Sequence, residues 1–294
     1  MKINDLYPLV LDAFRELGSR YSPAMQQAAA QFGLDEPHQW FLLLTAQMFD
    51  PEAISPERLR MRSPYTATQA YQGRLEGLAS RGLLTPSGKG EFRMTKLGRQ
   101  TAQRIIEAAY NQMAALETLP EASLERLAAL LRRLVGASLK AAEPPGKWSL
   151  LHSRLTDPGD DANVLVRIDQ YLTDLAAYRD DAHLASWQPF QINGQVWEAL
   201  TLLWRSEATN LDELYQKLQG RGYSQASYNQ ALRELVNRGW AAEVNGKYRL
   251  TLEGQELRQT AEQTTDRYFY APWVCLDEAD EAELRSLLVQ LAEV

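Results

Sequence analysis

Apolar residues recur at helical spacing along most of the chain, and short segments that favour strands interrupt them. Near the start of the sequence, the apolar positions at i, i+3 and i+4 are Leu6, Leu9, Val10, Ala13, Phe14 and Leu17. The segment VLVRIDQYLTDLAAY repeats this period at Val164, Ile168, Tyr171, Leu172 and Leu175. Each pattern predicts an amphipathic helix with one face against a core.

Three further helical signals follow each of these segments. The second helices are predicted over 40–48 and 197–204. Short helices should begin after Ser55-Pro56 and at Asn210, where a capping residue precedes the first turn. The third helices should begin near 65–66 and 224. They should end at Gly82 and Gly239, because glycine suits a left-handed C-cap.

Two strand-like runs follow each of these glycines. In the first case they flank the turn 86–90, and in the second they flank Asn245-Gly246, a dipeptide typical of tight hairpins. A helix beginning at Thr95 or Thr251 and a last, leucine-rich helix complete each series. The order of helix, helix, third helix, hairpin and helix predicts a winged helix-turn-helix unit in each half.

The two series also share residue types in register. At a separation of 157 residues the matches include Tyr21 with Tyr178, Trp40 with Trp197, Leu75 with Leu232, and Gly82 with Gly239. At a separation of 156 they are Arg93 with Arg249, Thr95 with Thr251, and Gly98 with Gly254. The sequence therefore predicts an internal duplication, with a first half at 1–138 and a second half at 158–294. The Pro- and Gly-containing segment 139–157 is predicted to be a linker with one helical turn.

The repeated motifs resemble the MarR-type winged helix regulators of bacteria. The resemblance lies in YQGRLEGLASRGLL, which starts at Tyr71, with FRMTKLGRQTAQ, and in YNQALRELVNRGW with YRLTLEGQELRQ. Members of that family are dimers of single-unit chains, so the resemblance implies an intramolecular pseudodimer. The fold class is then mainly α with small β-hairpin wings, and no second subunit is required for a dimer-like shape.

Composition restricts the functions that such a fold could have. A net charge of −7 argues against general nucleic-acid binding, so any DNA contact would need a local basic face. A single cysteine, Cys275, and no long apolar run favour a cytoplasmic protein with no membrane partner, and we expect no signal peptide. Nucleophile, phosphate-loop, dinucleotide and zinc motifs are lacking, so we predict no enzyme, no cofactor and no metal.

The favoured function is transcriptional regulation by binding double-stranded DNA. Control of that binding by a small-molecule effector is left open by the sequence. Amides on the third helices suit base edges, and basic side chains there and on the wings suit phosphates. The candidate DNA-binding residues are Thr68, Gln69, Gln72, Arg74, Lys89, Arg93, Gln225, Asn229, Gln230, Arg233, Lys247 and Arg249. If both halves bind, the reading helices should reach successive major grooves about 34 Å apart, on an asymmetric site because they differ in sequence. The alternative is that one half is a scaffold without DNA contact.

Two alternatives remain from the sequence. The acidic balance favours a winged-helix adaptor that binds proteins and has lost DNA binding. The second alternative is small-molecule binding or catalysis at the interface between the halves, near Tyr178–His183. In that segment Asp180 and His183 share a helix face and could contribute to a metal site. A cap and salt-bridge cluster is the simpler interpretation of that segment.

Overall fold

The computed structural model describes residues 6–293 and is mainly helical with two antiparallel hairpins. The first five residues of the predicted first half and the last residue of the second lie outside that range. In the first half the elements are α1 (Leu6–Ala30), α2 (Pro37–Phe49), α3 (Pro56–Arg62), α4 (Thr68–Ser80), β1 (Leu84–Gly88), β2 (Glu91–Met94), α5 (Lys96–Ala114) and α6 (Glu121–Lys140). Within the described range, no helix is both long enough and apolar enough to cross a bilayer.

The second half has the same order of elements after a short connecting helix. The elements are α7 (Trp148–Ser153), α8 (Val164–Trp187), α9 (Gly194–Trp204), α10 (Leu211–Leu218), α11 (Gln225–Asn237), β3 (Ala241–Val244), β4 (Lys247–Leu250), α12 (Leu252–Tyr270) and α13 (Glu278–Glu293). Short 3-10 turns lie at Arg154–Thr156, Gln188–Phe190, Gln219–Arg221 and Ala271–Cys275. Helices α4 and α11 have the same length and begin 157 residues apart.

The junction between hairpin and helix has the same construction in both halves. The Thr95 hydroxyl accepts from the Gly98 amide at 2.9 Å and donates to the Gly82 carbonyl at 2.7 Å. Thr251 makes the corresponding bonds to Gly254 and Gly239. Gly98 lies so close to the Leu83 carbonyl that a Cβ would overlap it, and Gly254 stands in the same relation to Trp240. The Thr-x-x-Gly motif therefore combines an N-cap with a close backbone approach.

A buried tryptophan ties the second helix of each unit to the long helix before it. Trp40 Nε1 on α2 donates to Gln26 Oε1 on α1 at 2.9 Å. Trp197 Nε1 on α9 donates to His183 Nε2 on α8 at 3.1 Å. The two pairs are separated by 157 residues at both positions. Both tryptophans are almost fully buried, so an indole N–H needs a partner at each site.

The long helices of the two halves pack across each other. Helix α13 packs along α1, and α6 packs along α8, so the last helix of each half contacts the first helix of the other. The leucines that fill this interface are buried: Leu127, Leu131, Leu134, Leu284, Leu288 and Leu291. A single core includes these helices and the first unit, whereas the second unit has a core of its own.

The first wing is tighter than the sequence predicts. Strand β1 continues to Gly88, and β2 begins at Glu91, so the turn consists of Lys89 and Gly90 alone rather than 86–90. Both turn residues have positive φ, as do Asn245 and Gly246 in the second wing. A bulge between Pro86 and Gly88 absorbs the additional residue. Both wings therefore end in two-residue turns.

The predicted linker 139–157 is a packed part of the structure. Helix α6 extends to Lys140, and α7 with its 3-10 turn covers about two and a half turns rather than one. The Asp181 carboxylate on α8 accepts from the Ser149 and Leu150 amides at 2.8 and 2.9 Å and so caps α7 from another helix. Leu150 is fully buried. Pro and Gly indicate that regular secondary structure is interrupted, but they do not show that the segment between them packs against another helix, here α8.

Candidate nucleic-acid interface

Helix α11 presents its polar face outward. Tyr228, Leu232 and Leu235 are buried on the opposite side. Ser224 caps the helix by accepting from the Ser227 amide at 3.1 Å. The predicted residues on the exposed side are Gln225, Asn229, Gln230 and Arg233, of which Asn229 is half-buried. This is the orientation in which a recognition helix can reach base edges.

The second wing adds positive charge beside this helix. Lys247 and Arg249 lie on β4 with exposed side chains. Among residues 6–293, neither of them nor Arg233 forms a salt bridge within 4.0 Å, although Lys247 lies close enough to Glu213 to help lower the pKa of that carboxyl. Acidic residues also lie nearby, and Gln225 donates to Asp212 at 2.7 Å. The Glu213 carboxylate is held by the Thr209 amide and hydroxyl, and these hydrogen bonds lower its pKa.

Helix α4 begins later than the sequence predicts and is supported differently. Its N-cap is Ala67, which offers no side-chain cap, and the helix starts at Thr68 rather than near 65–66. The Ala67 amide instead donates to the Arg221 carbonyl of the second unit at 2.8 Å. Gly222 approaches Ala70 so closely that a Cβ on it would lie 2.5 Å from the Ala70 Cβ. The beginning of α4 is therefore in contact with the turn that precedes α11.

The first-unit candidate residues divide between exposed and engaged side chains. Thr68 is half-buried, Gln69 is exposed, and Gln72 donates to Glu76 at 2.8 Å. Arg74 donates to the Gly220 carbonyl at 2.8 Å, so its guanidinium is directed to the second unit. Lys89 is exposed at the wing tip. Arg93 donates to the Pro51 carbonyl at 2.6 Å.

The contact between the units changes the expected spacing of the reading helices. Gly222 touches Ala70 near the start of α4, and α11 begins only three residues after it. Three residues span at most about 11 Å, and the Gly222–Ala70 contact with the first turn of α4 adds about 10 Å, so the N-terminal ends of both helices lie within roughly 22 Å of each other. The expectation that these ends reach successive major grooves about 34 Å apart is therefore wrong for this arrangement.

The suggested metal pair in Tyr178–His183 does not form. Asp180 pairs with Arg62 of the first unit at 2.9 Å, and His183 accepts from Trp197. Burial, with help from nearby arginines, lowers the pKa of His183 to about 4. No group of three or more His, Cys, Asp or Glu residues in the described range could hold a metal. The segment serves as a contact between the units and as a tryptophan anchor.

Sequence reasoning misses the residues that join the two units. Arg60 donates to the Tyr223 hydroxyl at 3.0 Å, and the Trp187 indole donates to the Tyr65 hydroxyl at 3.3 Å. The counterparts of Arg62 and Tyr65 in the repeat are Gln219 and Gly222. The sequence therefore already showed that the first unit has a charged and a bulky residue where the second unit has neither, which indicates that the two units differ at this surface.

Comparison with known proteins supports a helix-turn-helix domain in the second half. Residues 155–294 match the model of a helix-turn-helix family. The matched region contains α8 to α13, including α10, α11 and the second wing. No curated protein and no solved structure matched the chain.

Proposed function

We propose that this protein is a DNA-binding transcriptional regulator in which the second winged-helix unit makes the principal contact with DNA. The observation that carries the proposal is the outward face of α11, with Gln225, Gln230 and Arg233 exposed beside the unpaired Lys247 and Arg249. Amides and an arginine suit base edges in the major groove, and wing cations suit the adjacent phosphates. The helix-turn-helix family match over 155–294 supports the same region.

The chain is a tandem duplication that forms an intramolecular pseudodimer of MarR-like units. This proposal rests on the repeated order of elements, the paired Thr-x-x-Gly junctions, and the matched Trp40–Gln26 and Trp197–His183 bonds. The reciprocal packing of α13 on α1 and of α6 on α8 is the arrangement of a helical dimer interface. Joining both units in one chain removes the concentration dependence of assembly.

The two units contribute unequally to DNA binding. Arg74 and the start of α4 are held by the second unit, and Glu76 stands where α11 has Arg233. A carboxylate on the outward face opposes phosphate, whereas a guanidinium attracts it. The bound DNA site is therefore asymmetric, with α11 in the major groove and the first unit beside the backbone.

Fluorescence anisotropy with duplexes selected from a random pool by the full chain tests this function. Arg233→Ala should weaken binding about tenfold, because a lost base or phosphate contact costs roughly 1–3 kcal/mol. Arg249→Ala should lower the slope of log affinity against log salt by about 1. The matched first-unit variants Glu76→Ala and Arg93→Ala should change affinity less than about twofold.

Two results would overturn the proposal. If no duplex is selected at low salt, DNA binding is wrong, and the acidic balance would then favour the protein-binding adaptor. If Arg93→Ala weakens binding as much as Arg249→Ala, the unequal use of the two units is wrong.

A further inference from the structure

We infer that an open groove between α6, α8 and the 3-10 turn Ala271–Cys275 binds a small polyanion that carries a chain of linked phosphates. The groove has a volume of about 670 Å³ and follows α6 from Glu125 to Lys140. Its lining residues come from these two long helices and that turn. The groove is therefore separate from α11 and the second wing, where the proposed DNA contacts lie.

Positive charge is concentrated in this groove although the chain as a whole has a net charge of −7. Four cations line it, namely Arg132, Arg133, Lys140 and Arg167, together with one carboxylate, Glu125. The first three cations lie on α6, and Arg167 lies on α8. A concave surface lined by one sign of charge attracts a multivalent ion of the opposite sign.

Two of the arginines are held in ion pairs that water screens. Arg132 Nη2 lies 3.0 Å from Asp160 Oδ2, and these side chains are 62% and 65% exposed. Arg167 Nη2 pairs with Glu125, whose side chain is half exposed. Such exposed pairs contribute little free energy, so a phosphate can replace the carboxylate at low cost. The Nη1 atom of each arginine takes no part in these pairs and remains available as a donor.

The other two cations are available without breaking a pair. Arg133 binds Asp280 through Nη2 alone, so its Nη1 and Nε can donate to a phosphate while that pair remains. Among residues 6–293, Lys140 forms no salt bridge within 4.0 Å, and it is exposed at the end of α6.

Small residues form the floor of the groove between these cations. Arg132, Gly136 and Lys140 follow each other at intervals of four on one face of α6. At a rise of 1.5 Å per residue, the two cations of this row are separated by about 12 Å along the helix. A Cβ at Gly136 would meet nothing within 4 Å, and Ala137 beside it also lines the groove. An extended anion can therefore lie close to the helix and reach cations at both ends, which a single phosphate cannot do.

The corresponding surface of the repeat has none of this chemistry. Helix α13 packs on α1 as α6 packs on α8, and the buried leucines of the two closing helices correspond. At the separation of 157 residues, the counterparts of Arg132, Arg133, Gly136 and Arg167 are Val289, Gln290, Glu293 and Val10. Packing of the long helices is thus possible without the cations, so the shared fold does not account for them.

Isothermal titration calorimetry of the full chain at low salt, without DNA, tests this inference with inorganic tripolyphosphate as the probe. Inorganic monophosphate should bind at least tenfold more weakly, because it reaches cations at only one point of the groove. The affinity for tripolyphosphate should decrease as sodium chloride is added, since the contacts are exposed to solvent.

Two variants locate the site. Arg132→Val combined with Arg133→Gln copies the counterpart helix and should weaken tripolyphosphate binding at least tenfold, because two charge-assisted contacts are lost. Lys140→Gln should weaken it about threefold or more. Lys140 is exposed and unpaired in the described range, so this variant keeps the test valid if a thermal melt shows that the double variant is destabilised.

Arg285→Gln is the matched control, because it removes the same charge from α13, outside the groove. It should leave the affinity for tripolyphosphate unchanged. The inference is overturned if tripolyphosphate does not bind at millimolar concentration, or if monophosphate binds equally well, which would indicate an adventitious ion only. It is also overturned if the groove variants bind as the unaltered chain does, or if Arg285→Gln weakens binding as much as they do. DNA is absent from these titrations, so their outcome does not depend on the proposed regulator function.

Discussion

The two winged-helix units share an internal plan but differ where they meet their surroundings. Helix α11 is capped by its own Ser224 and exposes Gln230 and Arg233, whereas α4 begins at Ala67, whose amide is bound by the second unit. The junctions and tryptophan anchors inside the units are equivalent. The internal packing is therefore alike in the two units, whereas their outer surfaces differ. Four experiments can break or sharpen this comparison.

The largest effect should come from the glycines that pack under a strand carbonyl. Gly98→Ala and Gly254→Ala would each place a Cβ on a backbone carbonyl, at Leu83 and Trp240 respectively, where no side chain can move aside. We expect each substitution to lower the free energy of unfolding by about 3 kcal/mol or more. Urea denaturation followed by circular dichroism would measure both.

Gly136→Ala is the control, since a Cβ at that helical position meets nothing within 4 Å. It should leave stability unchanged or raise it by about 1 kcal/mol. A small cost at Gly98 together with a large cost at Gly254 would show that the two junctions are not equivalent.

The contact between the units should be the next most sensitive position. Gly222 has φ +76° and faces Ala70, so Gly222→Ala introduces both backbone strain and a clash. We expect a loss of about 2–3 kcal/mol in the free energy of unfolding. Gly82→Ala has similar strain at φ +72° but open space around the Cβ, and should cost only about 1 kcal/mol. Equal costs for the two variants would mean that the units do not press together here.

The tryptophan anchors should respond differently to acid. Because burial lowers the pKa of His183 to about 4, the folded state resists a proton that the unfolded chain accepts below about 6.5. This contribution to stability is complete above pH 6.5 and is lost as the pH falls toward 4, by about 3 kcal/mol.

His183→Gln copies Gln26 of the first unit and keeps an acceptor for Trp197. The variant should have a smaller decrease in stability between pH 6.5 and 4, measured by denaturation at several pH values. An unchanged acid dependence would assign the effect to other groups.

The smallest effect should come from the ion pair that joins the units. Arg62 and Asp180 are 35% and 48% exposed, so water screens their attraction. A double-mutant cycle with Arg62→Gln and Asp180→Asn should give a coupling energy below about 1 kcal/mol, and less at high salt. A coupling above 2 kcal/mol would indicate that this pair, rather than the Gly222 contact, holds the units together.

Much of the local structure could be predicted from the sequence because local rules fix it. The caps at Ser55 and Asn210 are present, the glycines at Gly82 and Gly239 have the positive φ that ends a helix, and Asn245-Gly246 forms the turn of the second wing. The burial of Tyr71, Leu75 and Leu78, and of their counterparts on α11, follows the helical period. Each of these features depends on residues within a few positions of one another.

Tertiary structure decided what the periodic pattern leaves open. No local rule predicts that Asp181 caps α7, that Gly222 meets Ala70, or that Arg74 turns to the Gly220 carbonyl, because these partners are distant in sequence. The sequence by itself thus determined the order of the helices and hairpins in each half and the residues that each helix buries. The contact between the units and the different supports at the starts of α4 and α11 arise only when segments far apart in the chain are packed together.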